Sequence, residues 1–395
     1  MPSLSLGHYA VSAAAAFALL TGCGGLQSPI GARAAPPSTF YAQASRAQSV
    51  GTGNSTVHFV YAANYSSDNV SAYAIDASDG ALTQVAGSPF AAGGFSIAVA
   101  IDPTGKFAYV ANPYTGNVSA YAINASSGAL TQLPDSPVPA GTDPFGVAVN
   151  PSGKFAYVAN EGSGNVTVYA IRRSGALTQV KGSPFAAGGF PVGVAIDPTG
   201  KFAYVTNIDY SSGSVFAYAI NASSGALTQV PGSPFAEGTY PTEVAIEPSG
   251  KFAYVTNQGS SDVSAYAINA KSGALTQIKG SPFAAGTTPI GVAVDPTGKF
   301  AYVANEGYNG NGNVSAYAIN ARSGVLTQVH GSPFAAGALE SYGIAIDPTG
   351  KFAYVSNYGS DSVSGFAING KTGVLKPVQG SPFAAGYSPT GVAIR

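Results

Sequence analysis

Three glutamates break a sequence that otherwise repeats itself, and a carboxylate set apart in this way is a residue type that could do chemistry. Glu243 stands where the six corresponding positions hold Gly or Ala (Ala98, Gly146, Gly193, Gly291, Gly343 and Gly391), while Glu161 and Glu306 each follow an Asn that recurs in every unit. A carboxylate beside a reacting group takes or gives a proton, and several together bind a hard cation such as Ca2+ through oxygen. The competing reading is three solvated loop residues. The same stretches hold Tyr65, Tyr114, Tyr210, Tyr240, Tyr308, Tyr342, Tyr358 and Tyr387. Loop tyrosines offer rigid contact surface to a sugar, a peptide or another protein; their alternative is packing over the rim of the core.

Other chemistry is poorly supplied. Of the histidines, His8 lies near the N-terminus, while His58 and His330 fall on turn or outer-strand positions of the repeat. Arg172, Arg173 and Arg322 occupy turns, Arg33 and Arg46 precede the repeats, and Arg395 ends the chain. No Ser-His-Asp set, no Gly-rich loop opening a helix and no His or Cys cluster with metal-ligand spacing is present. No cofactor is expected, a divalent cation at the carboxylates being the one candidate. Asn64, Asn112, Asn160, Asn207, Asn257, Asn305 and Asn357 recur in every unit, and such regularity suits a turn-holding role better than a ligand-binding one.

The elements that must position these residues follow from the repeat. Tyr61, Tyr109, Tyr157, Tyr204, Tyr254, Tyr302 and Tyr354 recur at intervals of 48, 48, 47, 50, 48 and 52 residues, by subtraction of their numbers. Each unit contains four short strand candidates, here A to D, exemplified by 291–294, 300–304, 314–319 and 325–329. Strands apolar on both faces, four to a period of this length, predict an all-β, seven-bladed β-propeller with four antiparallel strands per blade. The first unit lacks a strand A, and the chain stops after Gly391-Val392-Ala393-Ile394, so this C-terminal strand A is expected to pair with the N-terminal strand B and close the ring. The A–B turn, Asp-Pro-Thr-Gly-Lys at Asp295–Lys299, barely changes and is expected to carry solvated charges. Variation concentrates in the B–C and D–A loops, which share one face of the disc. That face is the candidate binding face.

Charged residues make up 9% of the chain and the formal net charge is −1, which leaves no basic surface for a nucleic acid. The apolar run Tyr9–Leu20 has the length of a signal-peptide core, and Leu20-Thr21-Gly22-Cys23 resembles a lipobox that would place a lipid on Cys23, the single cysteine. An ordinary secretory signal is the alternative. Residues 24–56 read as a flexible tether and 57–395 as the propeller. The expected location is outside the inner membrane, in the periplasm or at the cell surface, as a monomer touching the membrane only through its anchor.

Phe-Ala-Tyr-Val-Thr-Asn at Phe202–Asn207 and Phe252–Asn257, with Tyr-Val-Ala-Asn or Tyr-Val-Ser-Asn elsewhere, resembles the YVTN repeat of seven-bladed propellers, including the lactonase family of 6-phosphogluconolactonases and muconate-lactonising enzymes. The resemblance spans residues 57–395 and implies that fold and, as one activity, lactone opening. It implies His, Arg and Glu near the channel as well, and no His or Arg here matches. The sequence therefore favours a binding or scaffold module acting through the B–C and D–A face, with an unknown protein, glycan or small molecule as ligand. Its alternative is a lactonase using Glu243, Glu161 or Glu306 as base, and a third reading is a divalent-cation-dependent surface protein.

Overall fold

The repeating Phe-Ala-Tyr-Val motif, Phe-Val-Tyr-Ala in the first blade, becomes the second strand of a four-strand path seven times over. The structure is a computed structural model that describes residues 57–208, 213–236, 238–307 and 311–395. The leader, the tether and Cys23 lie outside these residues, as do Tyr210 and Tyr308. Seven antiparallel sheets follow the order A-B-C-D, for example Pro289–Val294, Phe300–Asn305, Asn313–Ile319 and Leu326–Gln328. In the first blade strand A comes from the other end of the chain, with Val60 opposite Ile394, Tyr61 opposite Ala393 and Ala62 opposite Val392. The expected closure is therefore present, and it converts two edges that would otherwise be open into a paired seam.

A fifth strand of two residues joins each sheet, a feature absent from the sequence expectation. It is built by the recurrent Ser-Pro-Phe-Ala, as in Phe283–Ala284, and pairs with the start of strand C. The Ser of this motif works beside it: Ser88 Oγ accepts the N–H of Ala72 on strand C at 2.8 Å.

Tyrosines tie neighbouring blades together. The strand-B phenol of each blade donates to a Gly carbonyl in the C–D turn of the next, from Tyr61 to Gly128 at 2.8 Å round to Tyr354 to Gly80 at 2.8 Å across the closing seam. The strand-C phenol reaches the preceding blade, as Tyr121 does to Ala91 at 2.7 Å. The seventh blade carries Phe366 at that position and lacks the bond. These rings are buried, so each hydroxyl needs its partner, and each bond contributes about 1 kcal/mol net.

In the nearly constant A–B turn the lysines are exposed as expected, but the acids are not solvated charges. Asp102, Asp197, Glu247, Asp295 and Asp347 are buried, and Asp295 shows why: Oδ1 accepts the N–H groups of Lys299 and Phe300 at 2.7 Å each, while Oδ2 accepts the N–H of Thr297 at 3.1 Å. The carboxylate organises the turn that launches strand B, which is why it hardly varies.

The innermost strands explain the glycines. Strand A carries a register shift in most blades, between Pro144 and Val147 for instance, and there a Cβ on Gly146 would sit 2.3 Å from the Val192 carbonyl oxygen of the next blade. Gly193, Gly291 and Gly343 face a neighbouring carbonyl at 2.5 to 2.6 Å in the same sense. Only hydrogen fits so close an approach.

Candidate active site

Just before those glycines, the strand-A residues Ile97, Phe145, Val192, Ile290 and Tyr342 pack into one apolar cluster with Ile208 and, partly buried, Tyr65, Tyr240 and Tyr358. Members come from all seven blades, and side chains from all seven can meet only around the axis. This apolar layer, to which the first and fifth blades contribute the partly buried Tyr65 and Tyr240, is the floor of the candidate site.

Two carboxylate pairs lie near aromatic members of that layer, Asp143 and Glu161 acting on the Tyr65 phenol and Glu306 and Glu340 on that of Tyr342. Glu161 opens the B–C loop of the third blade, its N–H bonded to the carbonyl of Asp143 at 2.8 Å, and Asp143 sits just before strand A with φ 49°. Partial burial, and then the charge of Asp143, push the Glu161 carboxyl up to about 7. Burial raises Asp143 as well. The partner carboxylate lies tight against the loop, since a Cβ on Gly162 would meet Asp143 Oδ2 at 2.7 Å. The second pair joins Glu306 of the sixth blade to Glu340 of the seventh. Burial, then Glu340, push Glu306 up to about 6, opposed by a hydrogen bond with the side chain of Gln258.

Of the three glutamates singled out by the sequence, Glu161 and Glu306 thus acquire other acidic partners. Glu243 turns inward: it is 2% exposed and its Oε2 accepts the N–H of Val292 on the next blade at 3.0 Å, while burial holds its carboxyl well above the usual range. Among the described residues no group of three or more His, Cys, Asp or Glu is placed to hold a metal ion. Asp143, Glu340 and Gln258 were not singled out in the sequence, although the first two lie in the variable D–A loops. What could have flagged them is position, because each acid directly precedes strand A, where other blades carry Phe95, Phe190, Tyr240, Thr288 or Ser388.

The aromatic residues divide by depth. Tyr342 is buried and stacks on Tyr358 with centroids 4.9 Å apart; Tyr358 meets Tyr65 at 6.5 Å, and Tyr65 stacks on Phe95 at 4.7 Å. Phe95 in turn meets Tyr114 edge-on at 5.2 Å. Among the described residues Tyr114 and Tyr387 are the exposed tyrosines of the face, and Tyr240 is half-buried. Burial, followed by the charges around it, raises the Tyr65 phenol.

The recurrent asparagines hold the B–C connection, largely by bonds between side chains. Asn64 Nδ2 donates to Asn69 Oδ1 at 2.7 Å and to Ser71 Oγ at 2.9 Å, and Asn112, Asn160, Asn257 and Asn305 repeat the pattern. No Lys, Arg or His occurs in any B–C loop or between the two-residue strand and strand A; Lys181, Lys279 and His330 lie earlier in their D–A connections, between strand D and that short strand. His58 instead holds the closure, its Nδ1 2.8 Å from the Arg395 carbonyl oxygen, and Arg395 donates to the Gly105 and Ala125 carbonyls of the A–B and C–D side.

Comparison with known proteins agrees with this architecture. The family described as lactonase, 7-bladed beta-propeller matches residues 38–143, 98–290 and 279–394. Similar solved structures include a putative 6-phosphogluconolactonase from Bacteroides fragilis, 22% identical, covering 86% of this chain and 98% of its own, TM-score 0.73. Another from Bacteroides uniformis is 20% identical over 86% and 100%, TM-score 0.72. The periplasmic gluconolactonase of Pseudomonas aeruginosa is 22% identical over 86% and 99%, TM-score 0.71. No curated protein matches. With its seven blades, its closing strand and a family match running over most of its length, the chain belongs to the lactonase family of seven-bladed β-propellers.

Proposed function

We propose that the B–C and D–A face opens a neutral lactone by general-base hydrolysis, with Glu161 as the base. The observation that carries this is a carboxyl beside Tyr65 and Asp143, raised to about 7 by partial burial and by Asp143, where it can exchange a proton with substrate at neutral pH. Family membership supports the same chemistry and moves it ahead of the binding-module reading. In the proposed step a water oxygen bonds to the lactone carbonyl carbon while Glu161 takes its proton. The tetrahedral oxyanion then collapses, the ring C–O bond breaks, and the departing alkoxide takes the proton back. The Tyr65 phenol, kept neutral by burial and close enough to feel Glu161 and Asp143, supplies a hydroxyl for the oxyanion.

The loops also bear on the substrate. Acids with no cation in the B–C loops or just before strand A oppose a phosphorylated or carboxylated lactone, which would need Arg or Lys to hold it. Neutral aldonolactones are the class that fits. Hydrolysis of glucono-1,5-lactone above the spontaneous rate is the expected result, with Glu161→Gln lowering kcat/KM by about 10²–10⁴; equal rates for both proteins and buffer would remove the proposal.

A binding role for the same face is favoured by its exposed Tyr114, Phe190 and Tyr387. We place the protein outside the cytoplasm, held by a lipid on Cys23. The apolar run and lipobox-like sequence support this, as does the likeness to a protein named periplasmic. Membrane-fraction protein that stays there in Cys23→Ala would contradict the anchor.

A further inference from the structure

Five aromatic rings form a continuous run from the axis to solvent: Tyr342, Tyr358, Tyr65, Phe95 and Tyr114, each in contact with the next. Exposure climbs along it, from 7% at Tyr342 to 36% at Phe95 and 77% at Tyr114. Single exposed aromatics are ordinary on a protein surface, but a contiguous patch leading out of a candidate site marks contact with something.

The run is also held in place at a conformational cost. Phe95 has φ 55°, which a bulky residue seldom adopts, and its N–H donates to Asp68 Oδ1 at 2.6 Å. Asp361 makes the equivalent bond to Ser388, also at positive φ, so the backbone turn belongs to the scaffold. What differs is the side chain displayed on it. At Phe95 that side chain is a ring, seated on Tyr65 and meeting Tyr114 at its outer side.

From the proposed lactone site, therefore, an apolar track leads outward over the second blade. Its open end presents an aromatic ring to solvent, and the B–C loops and the segments just before strand A carry acids and no cation. A sugar ring offers a C–H face that packs on an aromatic one, and neutral hydroxyls that suffer no repulsion from carboxylates. We infer that the lactone is the terminal unit of a neutral oligosaccharide, whose remaining sugars lie on Phe95 and Tyr114. This rests on the lactone-hydrolase reading for its inner half; the outer half, sugar binding at Tyr114, stands separately.

The test compares two neutral substrates on wild type and Tyr114→Ala: glucono-1,5-lactone and the aldono-1,5-lactone of a 1,4-linked glucose disaccharide. A parallel titration with the disaccharide alditol, which cannot be hydrolysed, is followed by the protein's NMR spectrum. Tyr114 is exposed, so its truncation leaves the fold intact. Wild type should prefer the disaccharide lactone in kcat/KM by about tenfold, the scale of one good aromatic contact, and the ratio should fall to near one in Tyr114→Ala. A ratio near one in wild type, or one unchanged by the substitution, overturns the inference and leaves the lactone hydrolase standing. If neither lactone is hydrolysed but the alditol binds wild type and not Tyr114→Ala, the sugar track survives and the hydrolase falls. If the alditol binds neither protein and neither lactone is opened, both fall.

Discussion

A carboxyl kept at about 7 costs the fold something at neutral pH, and Glu161 makes that cost measurable. Its ordinary value is 4.5, and burial with Asp143 raises it to about 7 in the folded chain. The native state therefore binds this proton more tightly than the unfolded chain does. Stability from holding it is complete below about pH 4.5 and is lost as pH rises through about 7, the sign opposite to that of a salt-bridged carboxylate. The full rise corresponds to roughly 3 kcal/mol, and partial exposure reduces it to about 1–2 kcal/mol. Glu161→Gln keeps the shape and removes the charge. It should match wild type in melting temperature at pH 4 and exceed it at pH 8 by a few degrees, given the size dependence of such shifts. Thermal melts of both proteins at intervals from pH 4 to 9, scanned at one rate because large propellers can unfold irreversibly, provide the assay. A difference that stays constant with pH would refute the buried, acid-coupled environment assigned to Glu161.

Three further outcomes follow from the scaffold. Phe366→Tyr restores the phenol that the other blades direct at the preceding short strand, as Tyr317 does to Ala284 at 2.6 Å, and should stabilise the protein by about 0.5–1.5 kcal/mol in urea unfolding. Asp295→Ala strands the N–H groups of Lys299 and Phe300 and should cost about 2–4 kcal/mol, whereas Asp295→Asn should cost far less, because Asn150 already serves the third blade by accepting from Lys154 and Phe155 at 3.0 and 3.1 Å. Gly343→Ala places a methyl 2.5 Å from the Thr390 carbonyl oxygen and should lower stability by about 1–3 kcal/mol; an unchanged urea midpoint would mean that the inner strands are less tightly apposed than described.

The scaffold was legible because it is periodic. Tyrosine spacing gave the blade count, the missing first strand A foretold the closure at Val60 and Ile394, and strands buried on both faces explained the lack of alternation. The Ser-Pro-Phe-Ala strand escaped because two residues are too few to carry a pattern. Asp295 was misjudged because charge suggests solvent, whereas a turn with converging N–H groups can bury a carboxylate and use all of it. The site was only half legible. Glu161 and Glu306 announced themselves by interrupting the repeat, but their partners Asp143 and Glu340 sit just before strand A and are themselves held at positive φ, a geometry that spacing does not reveal. Glu243, the plainest interruption of all, turned toward the neighbouring backbone.

The central claim is that Glu161 removes a proton from the water that opens a neutral lactone, and the pH profile of kcat/KM for glucono-1,5-lactone tests it most directly. The account predicts activity that rises with an apparent pKa near 7 and then levels off, corrected for the spontaneous reaction, and that this limb disappears in Glu161→Gln together with about 10²–10⁴ of the rate. A Glu161→Gln protein with the wild-type rate and the same limb would contradict it.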